Sequence, residues 1–239
     1  LHDEAERWGN FAQLAAEYET ILAAAQQNRW AALVRSCPLP EPVAEQVLSS
    51  DAFGPMCAEL RRMEANGYQP EGELPRLVAA RSLGNAADPA AVLHHRVAVF
   101  TDRAKPAQRR QEQRYICGLI PEASGPMAED MRVALDQRAD RMRERAEAIV
   151  RRAVAQSAPW LAALGSRPAD PAAAARWQQA AYRDRWNITS PEPLGTDQPS
   201  AIQKADAARV HALAVQVSQR RQTPATAAPM PLAQSGPAL

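Results

Sequence analysis

Several residue types that characterise whole classes of protein are scarce in this 239-residue sequence. Only three cysteines occur (Cys37, Cys57 and Cys117), an odd number without a paired motif, which argues against a disulfide framework. Aromatic residues make up 5% of the chain and β-branched runs are missing, so a substantial β-sheet is disfavoured. No apolar run approaches the roughly 20 residues that cross a bilayer, and we expect no membrane insertion.

An excess of charge of one sign is also missing. Lys and Arg total 28 and Asp and Glu total 27, giving a net charge of +1 and no overall attraction to nucleic acid or membranes. The first residues, LHDEAERWGN, are acidic and polar, so we expect no signal peptide and predict a cytoplasmic protein with reduced thiols. The sequence starts at Leu1, in the middle of a helical pattern, and we therefore expect a fragment of a longer protein.

Motifs for nucleotide, metal and nucleophile chemistry are absent as well. The sequence contains neither G-x-x-x-x-G-K-[ST] nor G-x-G-x-x-G, and its cysteines lack a nearby base. His94 and His95 are adjacent, and adjacent helical residues do not converge on one ion, so we interpret them as a boundary or surface pair. We predict no catalytic residue, no cofactor and no metal in this chain.

The longest uninterrupted helical pattern runs from Met127 to Gln156, directly after Gly125-Pro126. Its apolar residues recur every three or four positions, as on one face of an α-helix. They are Met127, Met131, Leu135, Ala139, Met142, Ala146, Ile149 and Ala153, with Val150 and Val154 beside them. Seven arginines and four acids interleave between Arg132 and Arg152, which favours a solvated charged face over a phosphate-binding one. Shorter helices should fold around this one. Alternatively, the apolar face of residues 127–156 could pair with the same face of a second copy of the chain.

Shorter helical segments, punctuated by Pro and Gly, fill the rest of the sequence. We predict helices over residues 2–27, 29–35, 43–48, 51–66, 70–83, 89–100, 160–164, 171–186 and 199–221. Asn28 should separate the first two, Gly67 should end a helix in the left-handed conformation, and Asp88 should cap another. Residues 222–239 contain four prolines, no charge and no periodicity, which predicts a disordered tail.

The best nucleic-acid candidate is a polar, basic segment that follows the first hundred residues. Between Arg103 and Arg114 the only acidic residue is Glu112. The cations that we propose to contact phosphates are Arg103, Lys105, Arg109, Arg110 and Arg114. A solvated connector between two domains is the alternative interpretation.

These patterns together predict an all-α protein. A short-helix domain is followed by one long helix with short partner helices and a disordered C-terminal tail. We place a compact helical domain at residues 1–100, a basic linker and an apolar plug (Ile116–Ile120, closed by Pro121) at 101–125, and a long-helix domain at 126–221.

One stretch, PWLAALGSRPADPAAAARW…AYRDRWNI at residues 159–188, resembles the C-terminal region of the large actinobacterial conjugative relaxases of the MobF (TrwC/TraA-like) class. Other stretches are similar to that region in the same order: LHDEAERWGNFAQLAAEYE, RWAALVRS, SSDAFGPMCAELRRMEANG, LPRLVAARSL with DPAAVLHHRV, and GLIP. The resemblance covers roughly residues 1–221 and rests on the ordered set, since no single motif is specific. In one departure, the gap between Trp177 and Ala181 is about five residues shorter than usual, which is not a whole number of helical turns.

In that family an N-terminal HUH-type relaxase nicks the transfer origin with a histidine-held metal and a tyrosine nucleophile. A RecD-like helicase with a Walker motif follows, and the helical tail comes last. The resemblance implies a non-catalytic C-terminal portion that acts in plasmid DNA transfer, with DNA and relaxosome or coupling proteins as partners. No nicking or ATPase motif maps onto this sequence, so no catalytic residue is carried over. A stand-alone helical interaction protein is the alternative.

Overall fold

The structure, a computed structural model, describes residues 9–103, 114–164 and 171–222, and its helices confirm the all-α class. In chain order the elements are α1 (Phe11–Ser36), α2 (Glu41–Ser49), α3 (Phe53–Ala65), α4 (Pro70–Ala79), α5 (Pro89–Arg103), β1 (Tyr115–Ile116), β2 (Ile120–Pro121), α6 (Glu129–Ala155), a 3-10 helix (Pro159–Leu164), α7 (Pro171–Arg185) and α8 (Ala201–Gln222). Of the predicted tail, residues 223–239 lie outside the described residues. Within the described ranges, no helix combines the length and apolarity needed to cross a membrane.

Two local helix signals are confirmed. The Asp88 carboxylate accepts hydrogen bonds from the backbone N–H groups of Ala90 (3.0 Å) and Ala91 (3.1 Å), so it caps α5 as expected. Gly67 follows α3 with a φ of +87°, the left-handed conformation that glycine adopts without a steric cost.

The predicted helix break at Asn28 is wrong, because α1 continues without interruption from Phe11 to Ser36. Two residues beside Asn28 explain the difference: Arg29 pairs with Glu64 at 2.6 Å, and the Trp30 side chain is completely buried. These tertiary contacts outweigh the low helix propensity of one Asn, which costs about 0.7 kcal/mol or less.

Helix α1 contributes to both of the large hydrophobic clusters in the described structure. Its C-terminal half, with Trp30 and Val34, packs among α2–α5 in what we call the first core. Its N-terminal half, with Phe11 and Tyr18, packs against α6, α7 and the β-hairpin in the second core. The two cores are therefore joined by a continuous helix as well as by the segment that leads to α6.

The long helix α6 buries most of the stripe predicted from its periodicity. Its buried residues are Leu135, Ala139, Met142, Ala146, Val150 and Ala153. Val154, expected to widen the stripe, is instead 41% exposed. This face packs on α1 and α7 of the same chain, so the stripe that suggested pairing with a second copy is already covered.

The apolar segment before α6 forms a two-stranded antiparallel hairpin in which Ile116 is paired with Ile120. Ile116, Leu119 and Ile120 are buried in the second core. At its turn, Gly118 has a φ of +72°, and a Cβ there would lie 2.7 Å from the Gln178 side chain of α7. The backbone conformation therefore favours glycine, and any larger residue would also have to displace the Gln178 side chain.

Trp177 and Tyr182 have different environments on α7. Five residues correspond to about 500° of helical rotation, so the two side chains point about 140° apart. Tyr182 is completely buried in the second core, whereas Trp177 is 40% exposed. An aromatic side chain therefore lies on the surface of α7.

Candidate nucleic-acid interface and the network of residues 182–187

The two described ends of the basic segment, Arg103 and Arg114, both lie near the C-terminal end of α3. Asp102, beside Arg103, pairs with Arg62 at 3.0 Å. The backbone N–H of Arg114 donates to the carbonyl of Ala65 at 3.2 Å. Both arginine side chains are exposed, which leaves them available to solvent or to a phosphate. The other three candidates, Lys105, Arg109 and Arg110, lie outside the described residues.

Carboxylates surround Arg114 on the protein side. Arg114 lines a cavity of about 130 Å³ together with Glu64, Glu71 and Glu122. Arg29 hydrogen-bonds Glu64 and Glu71, and Arg143 pairs with Glu122 at 2.6 Å. Although burial pulls in the opposite direction, the hydrogen bonds from Arg29 lower the pKa of Glu71. Arg29 is shared between two of these acids, and Arg143 is shared between Glu122 and Asp140, so the acids outnumber their cations and the protein side of Arg114 keeps negative charge.

Most arginines of the long helix α6 are engaged within the protein. Arg138 approaches Glu17 at 3.6 Å, Arg143 bonds Asp140 and Glu122, and Arg151 bonds Glu147 at 2.8 Å. Arg132 donates to the carbonyl of Gly125. These pairs neutralise the helix surface, as the interleaved charges in the sequence indicated, and leave little unopposed charge there for phosphate.

The carboxylate of Asp184, near the end of α7, joins three helices. It accepts the backbone N–H of Phe11, the first residue of α1, at 2.7 Å. It also accepts two hydrogen bonds of 3.0 Å from Arg145 of α6. A single side chain thus satisfies one of the free donors at the start of α1 and anchors α6 through a bidentate charged pair.

Arg183, the preceding residue, organises the loop between α7 and α8. Its guanidinium donates to four backbone carbonyls, those of Ile188, Ser190, Glu192 and Pro193. It also lies 5.1 Å from the centre of the Trp160 ring, a cation–π distance. The residue is 8% exposed, and burial lowers the pKa of its guanidinium. Arg183 therefore holds the loop through four part-buried carbonyls that would otherwise lack a partner within the protein.

A third set of contacts connects the end of α7 to α8. Asp206 is 2% exposed and accepts hydrogen bonds of 3.2 Å from Arg185 and from the indole N–H of Trp186. Burial raises the pKa of the Asp206 carboxyl, while the nearby Arg185 and Arg209 act in the opposite direction. Residues 182–187 thus contact α1, α6, the loop and α8, and their role in the described structure is to hold these elements together.

The histidine pair and the cysteines show no feature of a reactive site. His95 is exposed and His94 is half-buried, and the described residues contain no group of three His, Cys, Asp or Glu side chains placed to bind a metal. Burial raises the pKa of the Cys37 and Cys117 thiols to about 11 and that of Cys57 to about 12. Such thiols are protonated at neutral pH, whereas a nucleophilic cysteine needs a lowered pKa.

We expect these three thiols to react at least about 100-fold more slowly in the native chain than in the unfolded chain at pH 8. The reason is that a pKa near 11 leaves only about one thiol in a thousand ionised, against roughly one in four for an ordinary cysteine. The measurement is the reaction rate with a chromogenic disulfide reagent, with and without guanidinium. A native thiol that reacts at the unfolded rate would contradict the prediction.

Sequence reasoning placed residues 182–186 at the end of a predicted helix but missed their role in holding other elements together. The available signal was local: an acid flanked by two arginines, next to a tryptophan, at the predicted end of a helix. Comparison of the chain with family models, with curated proteins and with solved structures gives no match.

Proposed function

We propose that this chain is the non-catalytic C-terminal portion of a conjugative relaxase–helicase. Its task is to hold the DNA-transfer complex together or to dock the enzyme on the coupling or secretion machinery. The observation that carries the proposal is the ordered set of segments that resemble the MobF-class tail. The segment AYRDRWN within that set supplies Asp184, which bonds α1 and α6, Arg185, which bonds α8, and Arg183, which bonds the loop before α8. This placement supports a scaffold role, in which these residues hold the helices and the loop in fixed positions.

Reading the coding DNA upstream of Leu1 is the first test of this proposal. We expect an in-frame segment that encodes G-x-x-x-x-G-K-[ST] and, farther upstream, a histidine cluster with tyrosines. An upstream frame that lacks both would contradict the relaxase assignment. Co-purification is the second test, with relaxosome proteins and origin DNA as the expected partners.

The alternative is a stand-alone helical protein–protein interaction module without a role in DNA transfer. The observation in its favour is the set of exposed apolar side chains, of which Trp177 is 40% exposed and Ile202 is 62% exposed. Exposed aromatic and aliphatic side chains are common at protein interfaces. This alternative predicts a protein partner that is retained when relaxosome components and origin DNA are absent.

The basic segment provides the test for direct DNA contact. We expect the triple variant Arg109→Ala, Arg110→Ala and Arg114→Ala to bind single-stranded DNA more weakly. Each lost phosphate contact should flatten the dependence of log affinity on log salt by about 0.7, or about 2 in total. The measurement is a fluorescence-anisotropy titration with a single-stranded oligonucleotide at several salt concentrations.

A matched control variant removes three positive charges from outside the basic segment. Arg35, Arg81 and Arg141 are exposed, and their simultaneous replacement by alanine should leave the salt slope within experimental error of the parent chain. An equal loss in both triple variants would show that net charge, and not the segment, governs binding. The absence of measurable affinity in the parent chain would remove DNA contact from the proposal without affecting the docking role.

A further inference from the structure

An apolar groove runs along the last helix, α8, on the side facing the 3-10 helix and the loop before α8. Its α8 wall consists of residues spaced as on one helical face: Val210, His211, Ala214, Val215, Ser218 and Gln219. Trp160, Pro193 and Leu194 line the facing wall. The cavity measures about 320 Å³, and none of its lining residues is Asp, Glu, Lys or Arg. Its size falls within the range of roughly 300–1,000 Å³ that is typical of ligand pockets.

The groove leaves apolar surface in water at the end of the described chain. Val215 is 37% exposed although it belongs to the groove wall. Gln219, at the far end of the groove, lies three residues before Gln222, where α8 ends. Whatever follows α8 in the sequence therefore starts within one helical turn of the groove.

We propose that the segment that follows, residues 223–239 of the same chain, occupies this groove. Its sequence, TPATAAPMPLAQSGPAL, has no charged residue, four prolines and the large apolar side chains Met230 and Leu232. Such a segment cannot form a core by itself, but Pro-rich chains take up the extended polyproline conformation at a low entropic cost. Grooves lined by an aromatic side chain, as Trp160 lines this one, are the usual receptors of that conformation.

The geometry allows the segment to reach the groove. Ala214, in the middle of the α8 wall, lies eight residues before Gln222, about 12 Å along the helix axis. The six residues 223–228 span at most about 20 Å when extended, which suffices to reverse direction and bring Pro229–Leu232 beside Ala214. A segment tethered this closely acts at a local concentration in the millimolar range, which favours it over a second copy of the chain.

The test compares the full chain with a chain that ends at Gln222, by NMR of the Trp160 indole and the Val215 methyl groups. We expect both signals to shift on truncation and to return when a synthetic peptide of residues 223–239 is added. The variant Met230→Asp with Leu232→Asp, in the full chain, should give the spectrum of the truncated chain. As a matched control, Gln234→Asp with Ser235→Asp adds the same charge outside the apolar stretch and should leave the spectrum of the full chain unchanged.

Two results would overturn the proposal. The first is identical groove signals in the full and truncated chains, with far-UV circular dichroism showing that both are folded. The second is a shift that appears only as protein concentration rises, because that would place the segment of a second copy, not of the same chain, in the groove.

Discussion

Replacement of Arg183 by methionine is expected to lower the free energy of unfolding by about 3–5 kcal/mol, which places it among the most destabilising single substitutions. Methionine fills a similar volume but cannot donate, so the carbonyls of Ile188, Ser190, Glu192 and Pro193 would lose their shared partner. A hydrogen bond that involves a charged group contributes about 1.5–3 kcal/mol, and because these carbonyls are only part-buried, water replaces a share of the lost bonds. For a chain of this length the midpoint of thermal unfolding should fall on the order of 10 °C, as measured by calorimetry at neutral pH.

Two further variants separate the hydrogen bonds of Arg183 from its charge. Arg183→Lys keeps the positive charge but lacks the planar guanidinium with its several N–H donors. It should therefore lower the free energy of unfolding by roughly half as much as Arg183→Met. Arg141→Met removes an exposed arginine from α6 and should change stability by less than about 0.5 kcal/mol. An Arg183→Met variant as stable as Arg141→Met would disprove the role assigned to the four carbonyl bonds.

Replacement of Asp184 by alanine is the second change with a large expected effect. It should lower the free energy of unfolding by about 3–4 kcal/mol. The substitution leaves Arg145 without its bidentate partner and removes the acceptor of the Phe11 N–H, and Phe11 is completely buried. The pair is part-buried, with side-chain exposures of 27% for Arg145 and 16% for Asp184, so its loss should cost less than the roughly 3–5 kcal/mol typical of a buried pair. Loss of the acceptor at the helix N-terminus adds about 1 kcal/mol. Asp184→Asn retains an acceptor for the Phe11 N–H, so it should lower the free energy of unfolding by about half as much as Asp184→Ala.

A double-mutant cycle with Arg145→Ala measures the charged pair itself. We expect a coupling energy of about 1–3 kcal/mol between positions 145 and 184, from urea unfolding curves of the four chains. The exposed pair Glu147–Arg151 of the same helix is the matched control, and its coupling should not exceed about 0.5 kcal/mol. Equal coupling in the two pairs would show that the Asp184 network contributes no more than a surface ion pair.

Local patterns predicted the helices well, because the signals that start and stop them lie within a few residues. Asp88 and Gly67 act at the helix ends beside them, and the stripe of α6 follows from the spacing of its own apolar residues. The predicted helix break at Asn28 was wrong because the contacts that keep the helix continuous are distant in sequence. The partners of Arg29 are 35 and 42 residues away. Propensity is a weak preference that such contacts override.

The network of residues 182–187 could not be derived from the sequence, since its partners are distant. Asp184 bonds Phe11 across 173 residues and Arg145 across 39 residues. No periodicity joins such positions, and a carboxylate among arginines is equally compatible with a solvated surface. The candidate phosphate contacts stay a prediction, because Lys105, Arg109 and Arg110 lie outside the described residues and the surroundings of Arg103 and Arg114 do not distinguish DNA from solvent.

The division of α1 between two cores has a consequence for how this chain is made. During synthesis the first core can close about when Val97 has left the ribosome, because Val97 is the last of its fully buried residues in the sequence. The other half of the same helix, with Phe11 and Leu22, must wait for α6 and α7. Asp184, which accepts the Phe11 N–H, is made 87 residues after Val97. At about 5–20 residues per second this interval is on the order of ten seconds. During that time the apolar face of the N-terminal half of α1 is exposed to solvent while the first core is already folded. This face is the part of the nascent chain to which a chaperone would bind.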